Sequence, residues 1–442
     1  MKTAIIYDKW LSGLGGGEVV ACNMATVLRD TGYEITLLSS GTVSKEAIKS
    51  KLGIDLSGIN ITTNLDILNP STSSFKLRGT NKPKTTSNKQ QATNNQELNN
   101  QQPDLFINLS FMDYTYGFAK KNIYYVHFPS RIRSGIFNFV LIFFQKTNLQ
   151  SLFPNFLKEK INDRLHAGIY PDMRKRLDSY NLFITHSKYV AAWTKTYWDK
   201  ETHIVYPPIK LITTNGHQLT TKSNWIVSLG RFFTLGHGKK QEVMIEAFKQ
   251  LYDKLNPKSK ILNPKKIVQN SKFQISSKLA NQVTNNLQLH LIGGVGNEPS
   301  SIRFVEHLKE MTKGYPIYFH FNTTRSEVEE ILLKSKIYWH AAGYGEDPKK
   351  DPIKFEHFGI APIEAISAGC IPILFDGGGL PEIIKILCLN PNFHLFNTMK
   401  ELILNTKQLF YQKTTPLTVN QILQDKFSQK KFISQFLKTI PS

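Results

Sequence analysis

Short runs of consecutive apolar residues, each followed by an amphipathic segment, constrain this chain more than any other feature. Residues 3–7 read as a buried strand, 18–31 as a helix and 34–39 as the next strand, with further apolar strands at 105–109, 123–127 and 182–185. After Pro207-Pro208 the alternation restarts: strand 225–229, helix 241–255, strands 287–292 and 317–321, helix 326–334, strand 337–340, helix 361–368, strand 371–375 and helix 381–386. A strand without alternating polar positions has no face to show to water. Its sheet must be parallel and covered by helices on both sides. Two such series about a Pro-Pro hinge predict an α/β protein of two doubly wound, Rossmann-like domains, with ligands beyond the carboxyl ends of the strands in the cleft between them.

The expected first domain is 1–210 and the second 211–415, with a C-terminal helix in 416–442 that returns to the first domain. Residues 70–103 are a run of Ser, Thr, Asn, Gln and Lys with almost no aliphatic side chains. They bury too little to offset their ordering entropy and read as a disordered surface insertion. A second, loop-like insertion is expected at 256–286. The 442 residues, 40% of them apolar, suffice for a substantial core. Cys22, Cys370 and Cys388 are too few and too scattered for a disulfide framework or a zinc site, and a reducing cytosol is the natural compartment; no Asp-x-Asp pair stands in a plausible site, so no metal is expected. No segment reaches the length of a membrane span, and the start Met1-Lys2-Thr3-Ala4-Ile5-Ile6-Tyr7-Asp8 meets a charge too soon for a signal-peptide core.

Chemistry concentrates in three places. Gly13-Leu14-Gly15-Gly16-Gly17-Glu18 lies between a strand and a helix, where glycines admit a ligand to the backbone and helix N–H groups attract an anion. The third glycine of a dinucleotide fingerprint is replaced by Glu18, so that motif fails, and a tight turn without a ligand is the alternative. In Glu356-His357-Phe358-Gly359-Ile360-Ala361-Pro362-Ile363-Glu364, Gly359 allows a turn under a phosphate and Pro362 suits the first helical turn. Glu364 is expected on that first turn and Glu356 on the loop before it, two carboxylates flanking an anion-binding terminus. A capping acid and a solvated loop residue would look the same. Arg231, after a strand, and Lys239, before a helix, are the cations able to neutralise a diphosphate, as a fork and as a point charge.

Gly230-Arg231, Lys239 and Glu356-x7-Glu364, with the tail Ala-Ile-Ser-Ala-Gly-Cys-Ile-Pro, resemble retaining glycosyltransferase family 4. The resemblance implies the GT-B fold and transfer of a hexose from a nucleotide sugar without metal or other cofactor. It implies that Arg231 and Lys239 grip the donor diphosphate, that Glu356 lies beside the transferred sugar and that Glu364 binds the ribose. Backbone N–H groups of Gly359 and Ile360 would meet the phosphates, with Gly15 and Gly16 closing from the other domain. His127, in Tyr124-Tyr125-Val126-His127-Phe128-Pro129, resembles the family's active-site histidine. That segment, 203–208 and Glu356-His357-Phe358-Gly359-Ile360 also resemble the alpha-1,2-mannosyltransferases of lipid-linked oligosaccharide assembly. The expected partners are therefore a GDP- or UDP-linked sugar and a glycan or lipid-linked acceptor. An inactive GT-B scaffold and a GT-B phosphorylase are the alternatives. All four charged residues expected in the site are present, which favours the transferase.

The net charge of +21 fits phosphate-bearing ligands or an anionic membrane, with AT-biased composition contributing; nucleic acid is not expected, because no recognition motif accompanies the charge. Residues 136–144 are intensely apolar, and 117–210 carry 15 Lys+Arg against 6 Asp+Glu. This raises peripheral docking at the inner face of a membrane, against the alternative of a core helix.

Overall fold

A computed structural model describes residues 1–68, 102–132, 172–212, 222–233, 238–256, 286–411 and 419–440. The expected insertions 70–103 and 256–286 lie almost wholly outside the described residues, and the apolar run 136–144 wholly so. The chain divides into two compact units. One holds the residues up to His186, then 190–205 and the stretch from Ile433 on; the other holds 187–189 and 206–432.

The first unit is a seven-stranded, all-parallel sheet of β1 (Lys2–Tyr7), β2 (Tyr33–Leu38), β3 (Asn60–Thr62), β4 (Leu105–Asn108), β5 (Lys121–Val126), β6 (Leu182–Thr185) and β7 (His203–Ile204). The strand order is β3-β2-β1-β4-β5-β6-β7. Ile6, Leu37, Ile107, Tyr125 and Ile184 fill its core. The Gly16–Asp30 helix returns from β1 to β2 and buries Val20, Ala21, Met24, Ala25 and Leu28, the i, i+3, i+4 stripe that a helix needs to cover a sheet. The topology reverses between β1 and β4, so the turn after β1 and the residues after β4 and β5 meet at one end of the sheet.

The second unit is a six-stranded, all-parallel sheet of β8 (Ser223–Leu229), β9 (Gln288–Gly293), β10 (Ile317–Phe321), β11 (Ser335–His340), β12 (Ile371–Phe375) and β13 (Leu395–Phe396), in the order β10-β9-β8-β11-β12-β13. Ile226, Val227, Leu289, Leu291, Ile337, Trp339, Ile373 and Leu374 are buried in one cluster with Met244, Ile245, Phe248 and Leu251 of the Gln241–Leu255 helix. Its switch point lies between β8 and β11, whose Ile226 and Val227 stand opposite Ile337 and Tyr338. Continued by two residues, that register sets Leu229, the end of β8, beside His340, the last residue of β11. Two doubly wound parallel-sheet units are the predicted GT-B class.

The C-terminal pattern predicts one helix, whereas the chain forms two, Asn420–Phe427 and Gln429–Thr439. Ser428 between them is extended, and its Oγ accepts a hydrogen bond from Lys431 N at 3.2 Å. A side-chain oxygen bonded three residues ahead starts a new helix rather than continuing the old one.

Candidate active site

In the second unit, the chemistry collects at the carboxyl ends of β8 and β11. Lys239 sits just before the Gln241–Leu255 helix, and its Nζ lies 2.6 Å from Glu356 Oε2. His340, the last residue of β11, places Nε2 2.7 Å from that same oxygen. Both side chains of the Lys239–Glu356 pair are only 14% exposed. Burial alone would resist ionisation of Glu356. The adjacent Lys239 charge and the His340 hydrogen bond outweigh it and hold the carboxyl well below the usual carboxylate range. Glu356 is an anion at neutral pH.

Glu356 leads into the Ile360–Ser367 helix through Gly359, whose φ of +109° no side chain would tolerate without strain. Neither Gly359 N nor Ile360 N has an acceptor among the described residues, as expected of a helix start. Two amides beside a buried carboxylate and a lysine suit a ligand that carries both hydroxyls and phosphate.

Glu364 departs from expectation. It is the fifth residue of its helix, one turn in rather than on the first turn, because Gly359 and Ile360 already cap and start the helix. Its Oε1 accepts from Arg325 Nη1 at 2.8 Å, and Arg325 Nε also pairs with Glu329 at 2.8 Å. Burial raises the Glu364 pKa and Arg325 partly offsets the rise. Arg231 is exposed, its guanidinium lies 5.6 Å from the centre of the Phe233 ring, and it pairs with no carboxylate among the described residues. Lys240 begins the Gln241–Leu255 helix with φ +58° and bonds Glu346 Oε1 at 2.5 Å, while Lys354 holds Oε2 at 2.9 Å. The structure therefore brings Lys239 and Glu356 together, adds His340 and Arg325, and leaves Arg231 open to solvent.

His340 and Arg325 were not among the site residues expected from the sequence. His340 had a signal, since it ends an apolar strand in the unusual segment Trp339-His340-Ala341-Ala342. Arg325 had none beyond its place at the start of a predicted helix.

The first unit carries a second constellation. His127 is the first residue beyond β5, and Nε2–H donates to Leu109 O at 2.7 Å. Nδ1 is then the ring's acceptor. Burial lowers the pKa to about 4, partly opposed by that hydrogen bond, so the ring is neutral at pH 7. Gly17 is packed against it: a Cβ there would stand 3.0 Å from His127 Cε1, so glycine permits the close approach of helix and imidazole. Gly15 caps the Gly16–Asp30 helix and its N–H donates to Glu18 Oε2 at 2.6 Å. In this structure that amide is satisfied internally, and Gly16 is the first helical residue. Asp8, at the end of β1, is buried near Glu18. Burial and then the Glu18 charge push its pKa up to about 8, so it is mostly protonated at neutral pH.

Among the described residues no group of three or more His, Cys, Asp or Glu side chains is placed to hold a metal ion, and no helix is long and apolar enough to cross a membrane.

Comparison with known proteins bears on this geometry. Residues 262–386 match the family model of glycosyl transferases group 1. The match takes in Arg325, His340, Glu356, Gly359 and Glu364 but stops short of Arg231 and Lys239 on its N-terminal side. No curated protein matches the chain. Solved structures with the same fold include a glycosyltransferase from Rickettsia africae, 13% identical over 99% of this chain and 97% of that one with a TM-score of 0.56. Another is Anabaena HepE in complex with UDP and glucose, 14% identical over 99% of each chain with a TM-score of 0.56. A third is WaaG, a glycosyltransferase involved in lipopolysaccharide biosynthesis, 11% identical over 96% of this chain and 99% of that one with a TM-score of 0.51. At these identities the likeness shows a shared GT-B fold.

Proposed function

We propose that this protein is a retaining glycosyltransferase that moves a hexose from a nucleotide sugar to a glycan or lipid-linked acceptor. The observation that carries the reading is the ionised Glu356, held by Lys239 and followed three residues on by the acceptor-free amides of Gly359 and Ile360; Glu356, Gly359 and Ile360 lie within the stretch that matches the group 1 transferase model.

Breaking a sugar–phosphate bond leaves negative charge on the nucleoside diphosphate. Fixed positive charge and helix N–H groups aimed at that charge lower the barrier without reorganising during the reaction. Arg231 is free to supply a fork to the diphosphate, Lys239 supplies a point charge, and Gly359 and Ile360 supply two amides. Gly15 and Gly16 in the first unit offer backbone amides suited to an anion, which requires Glu18 to release the Gly15 amide. Glu356 orients the sugar, whose anomeric carbon becomes cation-like and is stabilised by a nearby carboxylate. Glu364, held by Arg325, takes the ribose. In the retaining step the bond from the anomeric carbon to the diphosphate breaks with its electron pair on the phosphate. The acceptor hydroxyl bonds that carbon on the same face, and its proton passes to the departing phosphate oxygen. His127, neutral with Nδ1 free to accept, positions the acceptor hydroxyl or shares its proton.

No residue of this site demands a metal, since Arg231 and Lys239 supply the positive charge. Uridine is the first base to try, because a solved neighbour holds UDP-glucose. Guanosine is the second, on the mannosyltransferase-like segments. Membrane docking through 136–144 belongs to the same proposal and would bring a lipid-linked acceptor to a cytoplasmic enzyme. A thermal-shift panel of UDP-, GDP- and ADP-sugars, followed by detection of released nucleoside diphosphate, tests the reading. One nucleotide series should raise the melting temperature and its sugar should be consumed with retained anomeric configuration. No stabilisation and no release across the panel would overturn it.

A further inference from the structure

We infer that His340 is a positioning residue for sugar transfer, fixing one oxygen of Glu356 so that the other is presented to the sugar. The inference rests on the transferase reading above and names a residue which that reading does not need.

Among the described residues both donors to the Glu356 carboxylate, Lys239 Nζ at 2.6 Å and His340 Nε2 at 2.7 Å, meet Oε2. Oε1 receives none from them. A carboxylate held at one oxygen by two donors from different elements cannot swing about its terminal bond without losing both. A single lysine on a flexible stem would not confine it in this way.

The tautomer of His340 follows from its neighbours. Oε2 belongs to an anion, so at 2.7 Å the facing Nε2 must carry the proton; two lone pairs at that distance would repel. The ring is 1% exposed, and burial, opposed by Glu356 and reinforced by Lys239, lowers its pKa and keeps it neutral. Nδ1 is then bare. Tyr338 Oη lies 3.2 Å from Nδ1 and 3.4 Å from Leu229 O. Both are acceptors for the single phenolic proton, and the bare nitrogen is the nearer of the two. Tyr338, His340 and Glu356 thus form a directed chain, with Tyr338 and His340 two residues apart on one face of β11. The charged and titratable groups facing His340 are Tyr338 from its own strand, Glu356 from the following loop and Lys239 from the segment after β8.

If the carboxylate is aimed in this way, losing His340 should injure the step in which the sugar changes and spare the grip on the nucleotide. His340→Ala should lower kcat about 10- to 100-fold, the range for a hydrogen bond to a charged group. Affinity for the nucleoside diphosphate alone should stay within about twofold, while the extra affinity conferred by the attached sugar disappears. His340→Gln, whose amide N–H can reach Oε2, should recover most of the rate. Tyr338→Phe should cost about 3- to 10-fold in kcat and tests the same chain if His340→Ala does not fold.

A reaction-independent arm uses 15N-histidine-labelled full-length protein without ligand. The His340 resonances, assigned by their loss in His340→Gln, should show the Nε2–H tautomer from pH 6 to 8. A proton on Nδ1, wild-type kcat in both His340→Ala and Tyr338→Phe, or equal losses of affinity for nucleoside diphosphate and nucleotide sugar would each overturn the inference. A wild-type protein with the Nε2–H tautomer that neither binds nor consumes any UDP-, GDP- or ADP-sugar would instead overturn the transferase reading, and the kinetic role with it.

Discussion

Replacing Lys239 with Met removes one partner of a buried ion pair and tests whether charge balance holds the second unit's site together. Lys239 and Glu356 stand 2.6 Å apart with side chains 14% exposed. Breaking such a pair from one side costs about 3–5 kcal/mol, because the remaining charge stays desolvated. His340 still donates to Oε2, so we take the lower end, about 3 kcal/mol at pH 7. For a unit of roughly 200 residues this is a fall of about 6–12 °C in melting temperature. The double variant Lys239→Met, Glu356→Gln has no buried charge and should recover about 2 kcal/mol of the loss.

The pH dependence gives the sign. In the wild type the folded-state pKa of Glu356 is depressed. Its stabilising contribution is fully present above the unfolded carboxylate pKa and is lost as pH falls through the folded value, below the ordinary range. Without Lys239 the burial effect dominates and the folded pKa rises above the unfolded one. The variant should then lose stability as pH increases from about 4.5 toward neutrality. Urea unfolding from about pH 2 to 8, followed by circular dichroism and calorimetry, measures both curves. A single variant within 0.5 kcal/mol of wild type at pH 7, flat in pH, would refute the argument.

Arg231 is exposed and free of carboxylates among the described residues, so Arg231→Ala should leave stability nearly unchanged and weaken nucleoside diphosphate binding about 10-fold by calorimetry. Glu364→Gln should lower nucleotide affinity more than Glu356→Gln, which should mainly reduce turnover; identical effects in both assays would end that division of roles. His127 has its pKa lowered to about 4, so its contribution to stability is complete above about pH 6.5 and declines as pH falls toward 4; His127→Gln should flatten that decline in acid unfolding curves. Gly17→Ala should fold but turn over slowly, since its new methyl group, 3.0 Å from the imidazole, must displace His127 or the helix, and wild-type kcat would contradict the packing.

Much of the architecture was legible locally. Apolar runs without alternation identified β1, β2, β4, β5, β6 and β8–β12 to within a residue or two, and the helix 241–255 at its observed bounds, because burial on both faces leaves a mark on every residue of a strand. Short edge elements escaped: β3 has three residues and β7 two, too few for any period to show. The helix Pro299–Met311 was also missed, although Phe304, Val305 and Leu308 form its buried face, because three apolar positions among charged ones make a weak stripe.

The site divides in the same way. Glu356, Gly359 and Glu364 stood out because they lie within one short motif whose spacing reflects a loop entering a helix. What each carboxylate touches was not in that spacing. Lys239 meets Glu356 across 117 positions, Arg325 meets Glu364 across 39, and His340 meets Glu356 across 16. Gly17 meets His127 only because β1, β4 and β5 are laid side by side. Periodicity reports which face of an element is buried, a local property written residue by residue. Which element lies next to which is decided by the order of strands in the sheet. In this chain β8 pairs with β11 rather than with a sequence neighbour alone, and that choice alone puts a lysine and a histidine on one carboxylate oxygen.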